Sequence, residues 1–272
     1  MPKKWTSEEE KRYRKQLIEL YVKRNLSISE IAPIVCLSEK TVFQRLKRLD
    51  IPTVPEQKVK YRNKRNDITI PKKYSAELAE LLGILFGDGH INRYQVTVTL
   101  GDKEVTYASY VQRLIHTVFG GTPKVVTKKN GYRVVYLGST QAVQYLQSLG
   151  LTNNKVRDQV DIPKWLTSNK KYQQQFLRGF FDTDGSVYKL KYGIQLSFTN
   201  HSLPLLHSLQ EMLLRLEYSP SSVSNVTFYI TKRKDIQKFF TEIQPRNQKH
   251  RKRYDTIVAQ RVGTQAVNGG RL

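Results

Sequence analysis

Apolar positions follow three rhythms along this chain. In EEEKRYRKQLIELYVKRN (8–25), Leu17, Ile18, Tyr21 and Val22 recur at helical spacing. SISEIAPIV (27–35) opens on Ser27 with Glu30 three residues on, the signature of a capping box, and Pro33 should bend or shorten the helix that follows. In CLSEKTVFQRLKRLDIP (36–52), Ser38 is a second cap and Val42, Leu46 and Leu49 mark one face. Two short helices about a tight turn predict a helix-turn-helix domain over residues 1–52. Its second helix offers Lys40, Thr41, Gln44, Arg45 and Lys47 to phosphates or base edges in a major groove. From 53 to 75 the chain is basic, carries prolines and has no period, so it reads as a linker that crosses a phosphate backbone.

Beyond residue 75 the sequence can be laid on itself. AELAELLGILFGDG (76–89) and YQQQFLRGFFDTDG (172–185) are apolar helices ending at Asp-Gly, and Asp184 follows Asp88 by 96 residues. QVTVTL (95–100) and IQLSFT (194–199) then alternate strictly, as half-buried strands do. Val96, Val98 and Leu100 should face inward, as should Ile194, Leu196 and Phe198. Gln95, Thr97 and Thr99 face out, matched by Gln195, Ser197 and Thr199. A helix (107–120; 203–218), further strands (133–137; 226–230), a short helix (140–150; 233–243) and a lysine-bearing stretch, TNNK (152–155) or RNQK (246–249), follow in each copy. The prediction is an α+β fold of two pseudosymmetric αββαββα halves, 76–160 and 161–255, behind a small all-α domain. Residues 256–272 lack a strong apolar period and are expected to form a frayed, flexible tail.

Composition narrows the partners. In 272 residues there are 46 Lys+Arg against 23 Asp+Glu, a net charge of +23. The excess is spread: +10 over residues 1–73 and +13 over 74–272. Both parts suit a polyanion, and with no basic amphipathic helix bearing a bulky aromatic face, nucleic acid is favoured over a membrane surface. No apolar run approaches a membrane span and no signal-peptide core is seen at the start. A single cysteine, Cys36, excludes an internal disulfide framework and a cysteine zinc cluster. The expected compartment is reducing and cytoplasm-like, at the nucleoid, with an organelle also admitted.

The repeated Asp-Gly ending has a physical reading. Glycine inside a helix costs about 0.5–1 kcal/mol against alanine, so Gly83 and Gly179 need a reason, and close approach of two helix backbones supplies one. If the apolar helices pack side by side, Asp88 and Asp184 meet at a pseudo-twofold axis. Both then sit at helix C-termini, where the dipole disfavours anions, and they repel each other. A divalent cation relieves both effects. Oxygen ligands with positions left to water or phosphate suit Mg²⁺, with Mn²⁺ also admitted. Such ions serve phosphodiester displacement.

LLGILFGDG (81–89) and LRGFFDTDG (177–185) resemble the nine-residue motif of the LAGLIDADG homing endonucleases, over roughly residues 74–255. The two copies resemble that family's single-chain monomers, whose motif helices form the interface and whose antiparallel sheets make a saddle over DNA. The resemblance implies a metal-binding, catalytic role for Asp88 and Asp184. Its sixth motif position, often acidic, is Asp182 in the second copy and Phe86 in the first. It also implies a basic residue late in each half, which repeat position assigns to Lys155 and Lys249, with Lys103 and Lys232 as rivals. Arg93, the outward strand residues, Tyr136, Thr227, Tyr229 and Thr231 would contact bases of double-stranded DNA. His90 reads as a loop residue or water-network member rather than a zinc ligand, since no second His or Cys sits at ligand spacing, and His250, in QKHRKR, as part of a phosphate-facing or solvated cluster.

A site-specific double-strand endonuclease acting as a monomer on a long asymmetric target is the leading expectation. Two alternatives share the fold: a non-cleaving transcription regulator, and a maturase that binds structured intron RNA. Retention of both aspartates argues against the first. An intein is disfavoured, because the chain begins Met-Pro and ends AVNGGRL, without splicing residues.

Overall fold

Each helix of the N-terminal segment starts at a hydroxyl residue. Thr6 caps α1 (Ser7–Leu17), Ser27 caps α2 (Ile28–Ile34) and Ser38 caps α3 (Glu39–Arg48), each side chain accepting from the backbone N–H three residues on. At Ser27 the box is reciprocal: Glu30 Oε2 accepts from the Ser27 N–H at 2.8 Å. Pro33 lies inside α2, which ends one residue later. α1 widens into a single π-helical stretch, Ile18–Lys23. Leu17, Leu20, Tyr21, Ile31, Val42 and Leu46 form the core, whereas Val22, read as part of the apolar stripe, is 37% exposed.

The structure is a computed structural model that describes residues 5–24, 26–53 and 67–269, with side chains as far as Gln260. Most of the expected linker (54–66) and the last residues of the expected tail (270–272) lie outside the described residues. The chain divides into two units, Met1–Asn63 and Lys64–Leu272.

In the second unit, α4 (Ala76–Phe86) lies against α7 (Lys170–Asp184). Every α4 side chain from Leu78 to Phe86 is buried, because the helix is covered on all sides. Leu78, Leu81, Leu82, Ile84, Leu85 and Phe86 are fully enclosed, each contributing roughly 1.5–3 kcal/mol of burial free energy. The two glycines explain how close the helices come. A Cβ on Gly83 would stand 2.2 Å from the Phe176 carbonyl oxygen, and one on Gly179 would stand 2.1 Å from that of Glu80. Backbone meets backbone reciprocally, so only glycine fits at either crossing point.

After α4 come β1 (Gly89–Ile91), β2 (Gln95–Leu100), α5 (Val105–Phe119), β3 (Lys124–Thr127), β4 (Arg133–Gly138) and α6 (Thr140–Ser148). After α7 come β5 (Gly185–Lys189), β6 (Ile194–Thr199), α8 (Leu203–Arg215), β7 (Thr227–Ile230), α9 (Arg233–Glu242) and α10 (Gln248–Gly269). The sheets are antiparallel, in the orders β1-β2-β4-β3 and β5-β6-β7. The chain is thus α+β, two halves of like order. Gly89 pairs with Val98 and Gly185 with Phe198, so both motifs enter their sheets in the same register.

The second half departs in a missing strand and in the added helix α10. Where the first half has β3, it has an isolated bridge, Ser224↔Thr227, and one bond from the Ser221 N–H to the Tyr229 carbonyl. Pro220 in that segment has no N–H for a ladder. The expected frayed tail also differs: α10 runs on to Gly269, and Ile257 joins the core at 4% exposure. One apolar contact of this kind leaves no periodic trace in the sequence.

Candidate active site

The Asp-Gly endings meet where α4 and α7 finish. A Cβ on Gly87 would lie 2.0 Å from Thr183 Oγ1 and 3.3 Å from the Asp184 carboxyl carbon. Gly89 and Gly185 are packed onto the preceding helical turn, at 2.4 Å from Leu85 Cα and 2.3 Å from the Phe181 ring for a Cβ. The chain therefore turns from helix to strand with the aspartate held at the corner. Asp88 is solvent-exposed at its edge, and Asp184 is half-buried and accepts from Asn200 Nδ2 at 2.8 Å. Burial and then the Asp88 charge push the Asp184 carboxyl up to about 6, against the opposing pull of the Asn200 amide, Lys155 and Lys249. The protein packed behind Asp88 raises its pKa, and the Glu104 charge adds to this, while Lys249 and Lys155 lower it.

Lys155 and Lys249, matched from repeat position, are both brought to the acids, by different means. Lys155 Nζ donates to the carbonyls of Leu85 and Phe86 at 3.0 Å and to that of Gly87. It caps the C-terminus of α4, where a cation offsets the dipole. Burial lowers its pKa, and Asp184 and Asp88 oppose the shift. Lys249 pairs with Glu104 Oε1 at 3.0 Å across the two halves. Of the rivals, Lys232 donates to Ser219 Oγ at 3.0 Å and Lys103 is exposed.

Several residues here carried no sequence signal of their role. Glu104 accepts from the Gly101 N–H at 2.6 Å, from Lys249 and from the Asn247 amide. Burial alone would raise its pKa, but those donors outweigh it and the net shift is downward. Asp182, fully buried, accepts from the backbone N–H groups of Arg246 (2.9 Å) and Asn247 (3.0 Å), fixing the turn ahead of Lys249. Burial lifts its carboxyl to about 7, with those two bonds opposing. His250, read as phosphate-facing or solvated, is neither: it is 3% exposed, with its ring 4.8 Å from that of Phe181. Burial takes its pKa down to about 3, so it is neutral.

The outward strand residues line the two sheet faces. Thr97 stands opposite Tyr136, Ser197 opposite Tyr229, and Thr199 opposite Thr227, whose hydroxyls are 3.0 Å apart. Thr99, Thr199, Thr231 and Arg93 are exposed; Gln95, Thr97, Tyr136, Gln195, Thr227 and Tyr229 are half-buried. Ser197 shares their groove but is only 3% exposed, and Ile194, expected inward, is half-buried. In the N-terminal unit Gln44 and Lys47 are exposed, while the Thr41 hydroxyl sits 2.8 Å from that of Ser38. Arg45 is not a free cation there: its guanidinium stacks 4.5 Å from the Tyr13 ring and 5.0 Å from that of Trp5. His90 is exposed in its strand. Among the described residues no group of three or more His, Cys, Asp or Glu is placed to hold a metal ion, and no helix is long and apolar enough to cross a membrane.

A family model described as the WhiA LAGLIDADG-like domain matches residues 78–159, and one described as a LAGLIDADG-like domain matches 171–244. Each of these two models matches under a third of the chain. One match falls in the stretch that holds Asp88 and the other in the stretch that holds Asp184. Among curated proteins the chain is 31% identical over 150 residues to a replication factor C small subunit of Methanocaldococcus jannaschii, covering 54% of this chain and 7% of that protein. It is 26% identical over 172 residues to a replication factor C small subunit of Thermococcus kodakarensis, covering 61% and 19%. The chain thus spans under a fifth of the length of either relative. Among solved structures, the homing endonuclease I-DmoI in complex with DNA and Mn aligns over 62% of this chain and 96% of its own, with 19% identity and a TM-score of 0.46.

Proposed function

We propose that this LAGLIDADG-like chain is a site-specific DNA endonuclease that hydrolyses phosphodiesters with Asp88 and Asp184. The observation that supports this most is the convergence of two carboxylates, the Asp88 charge helping to raise the pKa of Asp184, at the ends of two abutting helices. The donors fit a hard divalent cation. They are oxygens, burial raises both pKa values with a neighbouring carboxylate adding to it (Asp88 at Asp184, Glu104 at Asp88), and neither histidine nor thiol is among them. Asp88 and Asp184 would hold Mg²⁺ or Mn²⁺, which when bound supplies Lewis-acid activation of water and of the leaving oxygen. Lys155 and Lys249 place positive charge beside the acids, suited to an incoming phosphate. Asn200 orients the Asp184 carboxylate. The two sheet faces differ in side chains, so each would read a different half of the target, and one chain supplies both halves as a monomer in the cytoplasm. The N-terminal unit adds backbone and groove contacts.

Asp88→Asn and Asp184→Asn should each abolish cleavage and leave metal-independent DNA binding largely intact. Gel shifts and nicking assays on one duplex check this, and full cleavage by the double variant would refute the assignment. A second reading, DNA binding without cutting, draws on the commitment of both lysines to protein partners. It predicts tight binding to one motif and intact DNA under every divalent metal. Binding to structured intron RNA in gel shifts would indicate a maturase.

A further inference from the structure

The two hairpins that follow the paired aspartates are unequal. Gln95 lies six residues after Gly89, but its counterpart Gln195 lies ten after Gly185, so the second hairpin projects further. In the first half the tip is closed, because the Ser139 N–H donates to the Tyr94 carbonyl at 2.9 Å. In the second half the tip Lys189–Ile194 stands over a cavity of about 680 Å³, walled by α9 on one side and by Tyr254, Val258 and Gln260 of α10 on the other. Three cations line it, Lys189, Lys191 and Arg233, and no carboxylate does. Lys189 is held to Gln260 Oε1 at 2.7 Å, whereas Arg233 and Lys191 are exposed and Lys191 lies 5.1 Å over the ring of Tyr192, itself 81% exposed. The cavity shares Lys189 and Leu190 with the groove on the outward face of the second sheet, which holds Gln195, Thr199 and Tyr229.

We infer that this cavity is a phosphate-binding site, present in the second half only, for the backbone of duplex DNA that continues past the second sheet. The inference rests on the DNA-binding reading and adds to it a second-half clamp outside the cleavage centre. Three cations without a carboxylate suit an anion, and the two residues shared with the sheet groove favour the phosphodiester of the same duplex over a separate small ligand. Each phosphate neutralised should release counterions, giving a slope near −0.9 per contact in log K against log salt.

The test is fluorescence anisotropy of the full chain on a 40-base-pair duplex of arbitrary sequence, over a salt series. Lys191→Ala/Arg233→Ala should reduce the slope by about 2 and weaken binding uniformly across sequences. Lys191→Arg/Arg233→Lys should restore it, and Lys164→Ala/Arg215→Ala, in a cavity shared with Asp161 and Glu211, should leave it unchanged. The altered side chains are exposed, and matching circular dichroism spectra check folding. Wild-type binding with an unchanged slope in the first variant overturns the clamp alone. So does competition by free nucleotide, which would make the cavity a nucleotide pocket. Failure of the wild type to bind duplex DNA overturns both the DNA-binding reading and the clamp.

Discussion

Replacing Gly83 or Gly179 with alanine would put a methyl carbon 2.2 or 2.1 Å from a carbonyl oxygen of the facing helix. The obstacle is backbone, so α4 and α7 must separate, at a cost of about 1–3 kcal/mol for overpacking. Urea denaturation should show that loss for each variant, and an unchanged midpoint would mean the helices are not so close. His250 makes a prediction in pH. Its pKa falls from 6.5 to about 3 on folding, so the folded state binds fewer protons than the unfolded state between those values. The stability it contributes is complete above about 6.5 and is lost as pH falls towards 3, at up to about 1.4 kcal/mol per pH unit. Asp182, raised to about 7, has the opposite sign over an overlapping window: its contribution is lost as pH rises from about 4 to 7. The comparison that isolates the histidine is wild type against His250→Phe, whose stability difference should shift towards the variant as pH drops below 6.5. A pH-independent difference would refute the buried neutral imidazole.

Among elements, the capping box is open to a direct test. Ser27→Ala removes the acceptor for the Glu30 N–H and should cost about 1 kcal/mol. Hydrogen exchange at α2 and α3 amides should then speed up about fivefold, with α4 and α7 unaffected. Equal acceleration in both units would mean that they unfold together. Caps, strands and motif helices were legible because each depends on neighbours within a few residues: Ser27 on Glu30, Gln95 and Thr97 on alternation, Gly83 on its apolar helix. What escaped depends on partners far along the chain. Glu104 looks like a turn acid after a strand, yet its amide partner Asn247 is 143 residues away. Arg45 sits on the polar face of its helix, but the pattern gives no sign that Tyr13 and Trp5 wait beneath its guanidinium. His250 stands among basic residues, and only the fold turns it inward.

At the scale of the molecule, duplication carried most of the information. Two copies of one pattern imply a pseudo-twofold, and a pseudo-twofold brings the copied aspartates together. Repetition is silent about the differences between halves, namely the absent strand opposite β3, the longer hairpin and the contrasting restraints on Lys155 and Lys249. Those differences should make the target asymmetric. The central claim, metal-dependent cutting by the acid pair, is tested most directly by incubating purified protein with a randomised or host-genome plasmid library, with Mg²⁺ or with EDTA, and sequencing the ends. Discrete double-strand breaks at one long motif, present with Mg²⁺ and absent with EDTA, are the predicted result. Enrichment of one bound motif with no cut under any divalent metal would contradict it, and would make the paired aspartates a packing feature of a DNA-binding protein.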